Sequence, residues 1–192
     1  NAGPRPTTAT IELLVRDAEN SSPESRTMNL AAGASLRLRD VLLETFGFTG
    51  AAALRITSPS SRIVVTSRTY NLVGPGASGL PQGASFGQFV RGVPEEKAIP
   101  YGREGRLIQL TQRDASSGLD FRTNVGFVNV GTSTIELRLD LYRADGTWLG
   151  ARSGDETRLR AREFRQISEV FKPLGTVTDG YAIARTTTPG GR

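Results

Sequence analysis

The sequence contains no cysteine and no histidine. Without cysteine there is no thiol nucleophile, no disulfide framework and no thiolate metal site. Without histidine the commonest general base and metal ligand is missing. Ser-His-Asp and Cys-His catalysis are therefore excluded. Long apolar runs are lacking too, and none approaches the roughly 20 residues that a membrane-spanning helix needs. No secretory leader opens the chain, so any targeting segment is expected to have been removed or to lie outside this sequence. Lysine is scarce: only Lys97 and Lys172 occur, and the net charge of +5 is carried by arginine.

The 192 residues are 37% hydrophobic and 22% charged. That balance is neither disordered nor membranous. It allows one large β-domain or two small ones around a real core. A nucleic-acid or polyanion surface would gather its arginines on one patch. Here they are scattered along the chain among 19 acids, as arginine-rich codon usage would leave them. No nucleic-acid partner is expected.

An internal repeat organises the chain. Thr10-Ile11-Glu12-Leu13 recurs as Thr134-Ile135-Glu136-Leu137, an offset of 134 − 10 = 124. Ala18-Glu19-Asn20 parallels Ala144-Asp145-Gly146, and Asp40-Val41-Leu42 parallels Glu169-Val170-Phe171. Gly47 parallels Gly175, Leu54 to Thr57 parallels Ile183 to Thr186, and Pro59 to Arg62 parallels Pro189 to Arg192. Asn1-Ala2-Gly3 also resembles Asn129-Val130-Gly131. The layout expected is A (1–62), B (63–128) and A′ (129–192), with two packed sandwich domains meeting near 58–72.

Local signals within each A unit are β. Ile135, Leu137, Leu139 and Leu141 alternate with Glu136, Arg138 and Asp140, a period of two with one buried face. Ile11, Leu13 and Val15 do the same. Asp145-Gly146 predicts a hairpin turn. Second strands are expected near 26–30 and 148–153, third strands near 35–38 and 157–164, and closing strands at 52–57 and 181–187. One short helix per repeat is expected between them, capped by Asp40 and Ser168 and stopped by Gly47 and Gly175. B should open with a strand over 62–70 and close with strands at 107–111 and 121–130. Phe121, Thr123, Val125 and Phe127 would share a face of the last. Residues 71–106, rich in glycine with Pro75, Pro81, Pro94 and Pro100, are expected to form one long loop.

Four segments then carry a resemblance: Thr69-Tyr70-Asn71; Phe86-Gly87-Gln88-Phe89-Val90-Arg91-Gly92-Val93-Pro94; Phe121-Arg122-Thr123-Asn124-Val125-Gly126-Phe127-Val128-Asn129; and Tyr142-Arg143-Ala144-Asp145-Gly146. In this order they resemble β-sandwich modules near the C-termini of large secreted bacterial proteins, over roughly residues 50–187. The resemblance implies export to the bacterial surface and an immunoglobulin-like sandwich. It implies no catalytic residues. In those modules a further strand usually follows the position of Arg192.

The fold class expected is therefore all-β, an immunoglobulin-like sandwich with an internal duplication. Gly74-Pro75-Gly76-Ala77-Ser78-Gly79 matches the dinucleotide spacing but lacks the strand and helix that such a site needs. Glu95-Glu96 has no partner acid for glycoside chemistry. Asp145, Asp155 and Glu156 lack the dense spacing of a calcium loop. Asn20-Ser21-Ser22 is an acceptor-type sequon, read as an ordinary loop in a bacterial protein. No cofactor is expected.

The contact candidates are Phe86, Phe89 and Tyr101 on the glycine-rich segment, Trp148 after the hairpin, and Arg158, Arg160 and Arg162. The three arginines alternate and would share one strand face. Solvation or packing within the chain explains each of these residues as readily as a partner does. The function expected is non-catalytic. One reading is an assembly module that self-associates by strand addition, each A unit lacking one flanking strand on opposite sides. The alternative is a glycan- or protein-binding accessory module.

Overall fold

The computed structural model describes residues 1–72, 85–113 and 121–192, with 70–72 and 85–88 as backbone only. The fold is all-β and sandwich-like, with 44% of residues in strands and 10% in helical turns. In chain order the described strands are β1 (Thr7–Val15), β2 (Ser25–Leu30), β3 (Ala52–Thr57), β4 (Thr66–Leu72), β5 (Ser85–Arg91) and β6 (Glu104–Gln112). They continue with β7 (Val125–Val128), β8 (Ile135–Tyr142), β9 (Trp148–Arg152), β10 (Arg158–Leu159), β11 (Phe164–Ile167) and β12 (Val177–Thr186). One sheet runs β2-β1-β3, and a five-stranded sheet runs β10-β8-β12-β6 with β9 also paired to β8. Two further pairs are β11-β7 and β4-β5.

Two compact units are present: residues 1–9, 27–37 and 57–97, and residues 10–26, 38–56 and 98–192. These divisions cut across the A, B and A′ segments.

The second unit shows why the alternating pattern folds as it does. Leu139 and Leu141 of β8 are fully buried, opposite Ala184 and Ala182 of β12. The small alanines leave room above the sheet. Val125 of β7 and Ile167 of β11 fill it, joined by Phe171 and Val177. Burying each large aliphatic side chain stabilises by about 1.5–3 kcal/mol. The Asp145-Gly146 turn forms as expected: Gly146 has φ +89°, and Asp145 Oδ1 accepts the Thr147 amide at 2.9 Å.

The chain between β10 and β11 turns back sharply, and its backbone carbonyls face the interior. Asn129 meets them. It is 0% exposed, and its Nδ2 donates to Ser133 O and Arg160 O, both at 2.8 Å, and to Leu159 O at 3.4 Å. Its Oδ1 accepts the Gly131 amide at 2.9 Å, and its backbone N–H donates to Glu163 O at 2.9 Å. In the first unit Asn1 makes the same set. Its Nδ2 donates to Arg5 O and Ala31 O at 2.9 Å and to Leu30 O at 3.3 Å. Its Oδ1 accepts the Gly3 amide at 2.9 Å, and its amino group donates to Ala34 O at 2.9 Å. Arg162 N–H to Gly131 O has its match in Gly33 N–H to Gly3 O. These matches run at an offset of 129 − 1 = 128 for the asparagine and 160 − 31 = 129 for the partner loop. The Thr-Ile-Glu-Leu tetrapeptides run at 124. They therefore do not stand in equivalent places relative to the two asparagines.

Several other expectations need correction. Asp40 precedes a short π-helical turn, Val41–Thr45, but lies at φ +34° with no side-chain cap bond. Ser168 caps nothing: the second turn is a 3-10 segment, Lys172–Leu174, preceded by Phe171. The stops are right, with Gly47 at φ +63° and Gly175 at φ +82°. Residues 35–38 form no strand, and within 157–164 the strand breaks after Arg158–Leu159 and resumes only at Phe164, where β11 begins. Residues 71–106 are not one loop, because β5 pairs with β4 and β6 begins at Glu104. Only Val125–Val128 of the 121–130 run is strand, and Phe121 is 45% exposed.

Glu163 closes the turn after Arg160. It is 0% exposed, accepting Arg160 N–H at 2.8 Å and Arg160 Nε at 2.9 Å on Oε2, and Arg165 Nη2 at 2.6 Å on Oε1. Burial alone would raise its pKa, but the Arg160 and Arg165 bonds outweigh it, and the net shift is downward. The folded pKa is depressed, so this carboxylate adds stability above its unfolded pKa. That stability is lost as pH falls through the folded value. Glu163→Gln is expected to cost about 1–3 kcal/mol at pH 7. It should also flatten the loss of stability on acidification, as chemical denaturation at pH 7 and pH 3 would show.

Candidate interaction surfaces

The five-stranded sheet presents its second face outward. Glu136, Arg138, Asp140 and Tyr142 alternate with the buried leucines of β8, and period two places them on that face. Across the ladders Tyr142 lies between Trp148 of β9 and Tyr181 of β12. The two tyrosine rings stack at 4.8 Å between centroids, 5° from parallel. Trp148 is 56% exposed, and its Nε1 donates to Asp140 Oδ1 at 3.3 Å. An aromatic row thus crosses three strands.

A charged row lies beside it. Asp140 accepts Arg138 Nε at 3.0 Å on Oδ1 and Arg185 Nη1 at 2.6 Å on Oδ2. Arg185 also donates to Glu104 at 2.9 Å, and Arg106 donates to the same carboxylate at 2.8 Å. Each carboxylate here is held by two guanidiniums. Burial pushes the Asp140 pKa up, but the bonds and charge of Arg138, the Trp148 N–H and the Arg185 charge bring it below the usual range. The network is internally satisfied, and it has no group poised as a general acid or base.

The contact candidates do not come together as expected. Arg158 sits opposite Glu136 on the sheet. Arg160 instead binds Glu163, and Arg162 lies at φ +51°, outside any strand. The three arginines therefore share no strand face. Phe86 is in β5 opposite Asn71, and its side chain lies outside the described region. Phe89 is 65% and Tyr101 53% exposed, with the Tyr101 amide bonded to Gly191 O. The 74–79 glycine motif lies outside the described residues. Glu95 and Glu96 fall in a 3-10 turn. Asp145 serves its hairpin and Glu156 pairs with Arg152 at 3.5 Å; among the described residues no cluster of three potential metal ligands forms. Asn20 is buried, and its Nδ2 donates to Val15 O, Ala18 O and Arg162 O, so the sequon amide is occupied.

Sequence reading missed two features. The Tyr142–Tyr181 stack joins residues far apart in the chain, and only the β8–β12 register brings them together. The second is the edge at 35–37. These residues are exposed and make no backbone hydrogen bond among the described residues. Their counterparts after the Asn129 clasp are Phe164, Arg165 and Gln166, which pair with Val128, Phe127 and Gly126. A groove lined by Pro6, Thr7, Thr8, Asn29, Leu30 and Ala31 is shallow and carries no ionisable side chain.

Comparison with family models, with curated proteins and with solved structures found no match.

Trp148 is the single tryptophan of the chain. Its emission is expected to change as Asp140 is protonated, with a midpoint below the ordinary aspartate range. A fluorescence titration from pH 6 to pH 2 checks this, with Asp140→Asn removing the transition.

Proposed function

We propose that this protein is a non-catalytic structural module of a large secreted or surface-exposed bacterial protein, and that it joins other chains by β-strand addition. One observation carries this reading. The same asparagine clasp occurs twice, and a paired strand follows it in one case but an unpaired segment in the other. The recurrence of a whole hydrogen-bond set also supports an internal duplication of the A unit. An unpaired edge is a template for another strand. A contact between different surfaces of two copies gives a ring where its rotation closes and an open filament where it does not. The absence of cysteine and histidine, and the satisfied charge network on the sheet face, favour a structural role over catalysis.

Size-exclusion chromatography with light scattering should show mass rising with protein concentration, and electron microscopy should show linear species. A monomer at every concentration would sink the self-association reading.

The aromatic row favours a second reading, a binding module for glycan or protein. Aromatic residues supply most of the affinity where sugars or partner side chains stack. A glycan array with hits that Trp148→Ala abolishes would support it; an array without hits would count against a glycan ligand.

A further inference from the structure

On the outer face of the five-stranded sheet, fixed cations lie beside the aromatic row. Arg138 of β8 stands opposite Arg185 of β12, and Arg185 stands opposite Glu104 of β6. Arg106 stands opposite Ile183, two residues or about 7 Å along β12 from Tyr181. The guanidiniums of Arg138, Arg185 and Arg106 meet only two carboxylates, Asp140 and Glu104. The cluster therefore keeps one positive charge. Arg158 opposes Glu136 on the neighbouring ladder, a pair that adds no net charge. The carboxylates are recessed: the Asp140 side chain is 8% exposed and that of Arg106 66%. Arg138 and Arg106 each turn Nε and Nη2 to a carboxylate. A guanidinium has five N–H donors, so each retains donors for a ligand. Trp148 is fixed too. Its indole N–H is held by Asp140, yet the residue stays largely exposed. A ring positioned in advance loses little freedom when a ligand stacks on it.

We propose that this face binds an acidic glycan. One sugar ring stacks on Trp148, and the carboxylate of a uronic acid residue sits on the Arg138–Arg185–Arg106 cluster. The inference deepens the glycan-binding reading and rests on it. Charge decides the ligand class: a single excess positive charge is balanced by a single carboxylate, which guanidinium forks hold well. A nucleic acid brings a phosphate at every nucleotide and needs a continuous basic track. Here Asp140 and Glu104 interrupt any such track. An extended peptide takes its affinity from main-chain pairing at a sheet edge. β8 and β12 are both interior strands, so this face offers side chains alone. A sugar needs no more than a ring face and hydrogen-bond donors.

The test titrates the full chain with uronate oligosaccharides of galacturonate, glucuronate and mannuronate, each beside its carboxyl-reduced form. Binding is read by calorimetry and by quenching of Trp148, the single tryptophan. At least one acid form is expected to bind about tenfold or more tightly than its reduced form. Trp148→Ala should abolish that binding. Arg106→Gln removes the excess charge at an exposed position, so it should weaken the acid form by about tenfold and leave Tm unchanged. No binding by any acid or reduced form would overturn the proposal and the glycan reading together. Equal binding of acid and reduced forms would overturn the proposal alone. Tighter binding of single-stranded DNA or polyglutamate than of every uronate would also overturn it. So would acid-selective binding that survives both substitutions, since the ligand would then lie elsewhere.

Discussion

A buried backbone carbonyl must find a donor, and that constraint governs how the turn between β10 and β11 is built. The chain after β10 points carbonyls inward where no strand can reach them. An unsatisfied group there costs about 1–3 kcal/mol. Asn129 supplies the missing donors, its Nδ2 to Leu159 O and Arg160 O and its backbone N–H to Glu163 O, while Nδ2 also donates to Ser133 O on its own side. Only an asparagine-like side chain can give and accept at this reach, since its oxygen also holds the Gly131 amide. Once the clasp forms, the direction of the chain into β11 is set, and with it the strand that lies alongside. Glu163 adds an electrostatic lock to the same turn, because Arg160 and Arg165 converge on one buried carboxylate.

The clasp at Asn1 makes the corresponding bonds nearer the surface, where the Arg5 and Ala31 carbonyls are exposed. Ala34 stands where Glu163 stands, so no buried charge is present to be paired. Ala31 stands where Arg160 does. The hydrogen bonds that concern the backbone persist while the side chains about them differ. The backbone bonds depend on geometry and on one amide, so they do not require the charged side chains found around Asn129. A charge network is more easily lost, since a buried ion pair often gives little net stability over an apolar replacement.

Much of the fold was legible in the residues, and the exceptions have physical causes. β8 could be read because strict alternation is the direct signature of a half-buried strand, and Asp145-Gly146 because the turn demands its residue types. The alternation of Arg158, Arg160 and Arg162 imitates the same signature, but the ladder ends at Leu159 and the chain turns at Arg162 with positive φ. Periodicity carries no information about backbone conformation at a single residue. The repeated tetrapeptide was the most conspicuous match and the least reliable guide to register. Four short strand residues recur easily, whereas Asn-x-Gly in both units reports a specific bond set. That pair was visible in the chain, but its meaning was not, because the accepting carbonyls lie about 30 residues away. The aromatic row was hidden for a similar reason: Trp148 was visible alone, while its neighbours arrive through strand pairing.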